Sequence, residues 1–67
     1  MGGTPITDYD VVDAMRTYGG SFVQAIASAF FRADRDNQQI IKAAWPEIWA
    51  EYADMARLRA EREAARR

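Results

Sequence analysis

The chain has 67 residues, enough for one small domain, and 49% of them are apolar and 12% aromatic, a composition that excludes an unfolded polypeptide. It contains no histidine, no cysteine and a single lysine, Lys42, which rules out disulfide staples and removes the usual nucleophile and base pairs of catalysis. The net charge of −1 conceals a split, because residues 1–56 carry eight acids against four bases whereas residues 57–67 carry five arginines against two glutamates.

A core this small has little margin, so support from self-association or from a partner is expected. No run of the chain nears the roughly 20 apolar residues of a membrane span. The start, MGGTPITDYD, lacks the basic-then-apolar order of a secretion signal. A soluble protein working in the cytoplasm, with no membrane partner, is the resulting expectation.

Every long segment has helical rather than alternating periodicity, which predicts an all-α fold of three short helices and one long C-terminal helix. The organisation reads as a lead over residues 1–6, a helical domain over 7–56 and a charged helical extension over 57–67. The first helix is expected from Asp8 to Tyr18, with Thr7 as its N-cap, Asp8 and Asp10 in its first turn, and Val11, Val12, Met15 and Tyr18 on its inner face. Ile6 and Val11 stand at the two positions of a hydrophobic staple.

Two glycines follow. A helix ending at Tyr18 favours a positive φ just beyond it, which Gly19 supplies without a Cβ penalty. Ser21 and Gln24 have the spacing of a capping box, so the second helix is expected to begin at Phe22, with Gly20 left to reverse the chain. A phosphate loop is the rival reading. It lacks a preceding strand, a further glycine and the lysine of such loops.

The second helix, in SFVQAIASAFFRA, is apolar nearly all the way round and is expected to lie in the middle of the bundle. The third is expected to start with Asp36 as N-cap and Gln39 as the reciprocal capping residue. A calcium loop beginning at Asp34 fails, because Gln39 stands where glycine is needed and Trp45 where glutamate is needed. Pro46 ends the third helix and opens the fourth as its first residue. The fourth presents a stripe of Trp45, Ile48, Trp49, Tyr52, Met55, Ala56 and Leu58 that fades into the arginine-rich tail, where Arg59 with Glu63 and Glu63 with Arg67 are spaced for helical ion pairs.

Three kinds of activity compete. No catalytic, cofactor-binding or metal-binding set is assembled, and no small-molecule substrate is expected. A helix-turn-helix DNA reader would use the third helix, with Asn37, Gln38 and Gln39 on base edges; Lys42 is that helix's only cation, and the arginine-rich tail would have to supply the remaining phosphate contacts. A purely structural assembly component is the third. The reading preferred from the residues is a homodimeric protein-binding module. Its docking surface combines Trp49, Tyr52 and Met55 with Arg57, Arg59 and Arg62, because tryptophan, tyrosine and arginine are enriched among interface hot spots. Gly19, Gly20, Ser21, Gln24 and Pro46 are its structural corners.

The combination of YGGSFV, ADRDN and AWPEIWAEY resembles a family of small, mostly uncharacterised helical proteins encoded by bacteriophages and prophages of proteobacteria. The resemblance covers roughly Asp8 to Tyr52 and leaves the tail outside. It implies a context, that of an accessory protein that binds and inhibits a host protein such as a regulator, a pilus component or a defence component. It carries no residue roles.

Overall fold

The computed structural model describes residues 5–66, which form four α-helices in chain order: α1 (Asp8–Tyr18), α2 (Ser21–Arg32), α3 (Arg35–Ala44) and α4 (Pro46–Ala65). The all-α fold of three short helices and one long one is the one expected. Residues 1–4 of the N-terminal lead, and Arg67 of the extension, lie outside the described residues.

The start of α1 is fixed by reciprocal hydrogen bonds. The Thr7 hydroxyl accepts from the Asp10 backbone N–H at 3.2 Å, and the Asp10 carboxylate accepts from the Thr7 N–H at 2.8 Å. Ile6 packs against the core as the staple requires. From there α1 buries Val11, Val12, Ala14 and Met15. It lies between α2 on one side and α4 on the other.

The centre of the bundle is therefore α1 and not α2, contrary to the expectation from hydropathy. Only Ile26, Ala27 and Phe30 of α2 are buried, while Phe22 and Phe31 on its two flanks are 56% and 45% exposed. The physical reason is supply of surface. A helix apolar all round needs neighbours on every side, and a bundle of three short helices and one long one does not provide them. The inner face of α1, built on Val11, Val12, Ala14 and Met15, is covered by α2 on one side and α4 on the other.

The α1–α2 corner differs from its sequence reading in two ways. Gly19 has φ −81° and ψ 156°, ordinary extended backbone, and none of the described glycines has positive φ. Glycine is required there by space. A Cβ on Gly19 would stand 2.5 Å from the Met15 carbonyl oxygen and 2.6 Å from Val23 Cγ1, whereas one on Gly20 would meet nothing within 4 Å. The Ser21–Gln24 capping box is also not formed. Gly20 is the N-cap and its carbonyl accepts from the Gln24 N–H at 2.9 Å, so the amide that Ser21 would have capped is already engaged and Ser21 lies inside α2. The Gln24 side chain instead donates to the Gly19 carbonyl at 2.9 Å.

The third helix begins earlier than expected. Asp34, not Asp36, is the N-cap, its carboxylate accepting from the Asn37 N–H at 2.8 Å, and Gln39 makes no capping bond. Asp34 is the residue held extended after the end of α2, which lets its side chain swing over the new helix start. Gln38 ties α3 to α2 by donating to the Phe30 carbonyl at 3.0 Å, and Lys42 ties it to α1 through Asp8 at 3.1 Å. No residue of α3 is fully buried. Trp45, at φ −130° and ψ 68°, leaves the helical region, and Pro46 opens α4 as expected.

Along α4, Tyr52 and Ala56 are buried and Trp49, Ala53 and Met55 pack against the core from its edge. The helix continues to Ala65. Its second half is tied to α1 by Arg59, which bonds Asp13 at 3.2 Å and not Glu63. The across-helix partner holds two elements together, which the same-helix partner cannot.

Two substitution pairs check this account by chemical denaturation followed by circular dichroism. Gly19→Ala should destabilise by about 1–3 kcal/mol through overpacking, whereas Gly20→Ala, which meets no atom, should stay within about 1 kcal/mol of the parent, the stiffer unfolded chain offsetting the poorer N-cap. Asp34→Ala should cost about 1 kcal/mol as a lost cap, and Asp36→Ala roughly half of that or less.

Candidate functional site

The six residues selected from the sequence as a docking surface occupy three different environments. Tyr52 is 7% exposed and belongs to the core, so it is withdrawn from the surface; its position on α4 turns it towards α1. Trp49 is half-buried where α2, α3 and α4 meet, with its ring 5.5 Å from that of Phe30 and Lys42 Nζ 5.5 Å above it. Arg57 lies on the far flank of α4 and bonds Asp54 at 3.0 Å.

The remaining three come together. Met55, Arg59 and Arg62 line a shallow groove with Leu58 and with Tyr18 from the end of α1. Spacings of three and four residues put Met55, Leu58 and Arg62 on one flank of α4. Tyr18 reaches the groove because it is the last residue of α1. The inner face ends with Met15, and the chain turns away at Gly19, so the Tyr18 ring is left 55% exposed beside α4. Leu58, 59% exposed, forms the other apolar wall.

The groove is therefore apolar along its length and basic at one end. Arg59 is partly committed to Asp13, while Arg62 has no ion pair among the described residues. An arrangement of this kind suits an amphipathic helix that brings apolar side chains and a carboxylate, the usual helix-in-groove mode of recognition. No group of three or more His, Cys, Asp or Glu side chains gathers among the described residues. None of the described helices is long and apolar enough to cross a membrane.

Sequence reasoning missed two further aromatic clusters. Tyr9 stacks on Phe31 with centroids 5.8 Å apart, and the Arg16 guanidinium lies 5.4 Å above the same ring. Phe22 meets Trp45 edge-on at 5.8 Å, joining the start of α2 to the α3–α4 corner. Neither cluster follows from spacing within one helix, since each joins residues of different elements.

Separating core from surface on α4 gives a direct test. Tyr52→Ala should cost about 3 kcal/mol by emptying the core, whereas Leu58→Asp should stay within about 0.5 kcal/mol of the parent, both read from urea denaturation at protein concentrations low enough that only the single chain is measured.

Compared with known families, curated proteins and solved structures, the chain matches none.

Proposed function

We propose that this chain is a non-enzymatic protein-docking module, a phage-type accessory protein that works in the host cytoplasm by covering the working surface of a host protein. The observation that carries the reading is the groove of Tyr18, Met55, Leu58, Arg59 and Arg62, an exposed apolar surface with basic groups at one end in a chain with no histidine or cysteine. Leucine and tyrosine standing side by side offer apolar area to a partner, and arginine beside them selects partners that bring acid. The partner is a helix of complementary pattern, and inhibition is steric. The same groove is the surface through which two copies pair when no host protein occupies it.

The DNA-reading alternative draws less support. Of the groups that α3 would aim at a duplex, Gln38 is spent on the Phe30 carbonyl and Lys42 on Asp8. Phosphate contacts supply much of the affinity in such complexes, and the helix has few cations to make them.

The test is capture from host lysate with tagged parent protein and with Leu58→Asp, each with and without nuclease, read by mass spectrometry. One dominant host protein that survives nuclease and is lost with Leu58→Asp is the expected result. Nucleic acid, with proteins that vanish on nuclease treatment, would overturn it in favour of a DNA or RNA role. A host protein retained by Leu58→Asp would place docking elsewhere on the molecule.

A further inference from the structure

The flank of α4 that lines the groove has a charge order that is complementary to itself when a second copy runs antiparallel. Reading towards the C-terminus, Glu51, Met55, Leu58 and Arg62 recur at spacings of four, three and four, the pattern of a two-helix seam. Glu51, Leu58 and Arg62 are exposed and Met55 is half-buried, so the seam lies on the outside of the bundle. Acid stands at its N-terminal end and base at its C-terminal end, with the two apolar residues between.

Within one chain these charges do not meet. Glu51 and Arg62 are eleven residues apart, about 16 Å along a continuous helix. A two-fold axis crossing α4 level with the Ala56–Arg57 peptide removes that separation. It sets Met55 against Leu58 of the second copy and Glu51 against its Arg62, and the same rotation sets Glu47 against its Arg66. Every contact occurs twice, as an isologous interface requires. Mixed apolar layers flanked by opposite charges are what an antiparallel helix pair needs.

We infer that the free protein is an antiparallel homodimer, in which α4 of one copy lies in the groove of the other in this register, with Glu51 and Arg62 setting it. The inference rests on reading the groove as a docking surface, and it names the occupant as a second copy of the chain. It also gives the C-terminal end of α4 a role, since residues 61–66 stay helical or turn-like yet exposed in the single copy. A host helix would have to displace the second copy. Because one helix pair is a small interface, the dimer dissociates on dilution.

Charge reversal reads the register directly. Sedimentation velocity over a concentration series should show a reversible monomer–dimer equilibrium for the parent protein. Glu51→Arg and Arg62→Glu alone should each weaken the dimer by about tenfold or more, because each sets two like-charge contacts per dimer. Mixing the two variants should restore it, since the mixed pair has both contacts complementary. The doubly reversed chain, Glu51→Arg with Arg62→Glu, should dimerise like the parent. Circular dichroism confirms that each variant remains helical. A parent protein that stays monomeric throughout overturns the inference and leaves the docking reading to be judged by Leu58-dependent capture. A parent dimer with no rescue on mixing overturns the register and the antiparallel pairing with it.

Discussion

The missing side chain at Gly19 is the contact on which the arrangement of the helices depends. With a Cβ there, the start of α2 would be driven off the Met15 carbonyl and off Val23 by distances that no side-chain rotation relieves, since one of the obstructing atoms is backbone. Without it, α2 folds back directly from the end of α1, and Val12 and Ala14 become fully enclosed. The Gln24 amide then closes the corner by satisfying the Gly19 carbonyl. Every later element packs on the pair so formed.

Helix α4 closes the side of α1 that α2 leaves uncovered. It sets Tyr52 and Ala56 against α1, and it leans Trp49 against Phe30. That choice decides which side of α4 is left uncovered. On the flank carrying Met55, Leu58 and Arg62, Met55 still reaches the edge of the core, while Leu58 and Arg62 are exposed and share a groove with Tyr18. The ion pair between Arg59 and Asp13 then holds the second half of α4 beside α1, beyond the point where apolar packing ends. At exposed sites such a pair contributes little to stability. Its effect here is to fix direction.

The charge split acquires a physical meaning in this arrangement. Along the outer flank of α4 acid stands early, at Glu47 and Glu51, and base late, at Arg62 and Arg66, so that a second α4 running antiparallel would meet opposite charge at both ends. A surface of this type discriminates by orientation as much as by affinity, because a parallel helix of the same composition would meet like charge. The docking role proposed here and the pairing of two copies draw on the same property.

Local sequence determined the secondary structure closely: the bounds of α1, the Thr7 cap, the break at Trp45 and the start at Pro46 follow from short-range chemistry in which each residue acts on neighbours within about one turn. It also determined that no disulfide and no histidine or cysteine chemistry is available, because those are matters of inventory. Where two local signals competed, sequence alone misjudged the outcome. Ser21 and Asp36 both looked like caps, yet Gly20 and Asp34 do that work, since each is the second of two extended residues between helices and directly precedes the first helical one. Tertiary structure alone decided which helix is central, why Gly19 is glycine, and which side of the α4 stripe is core. Tyr52 and Leu58 lie on one broad stripe, and of the two leucine is the more apolar. One is buried and the other exposed because α1 covers only part of that stripe, and the width a neighbour covers is a property of packing that no single helix encodes.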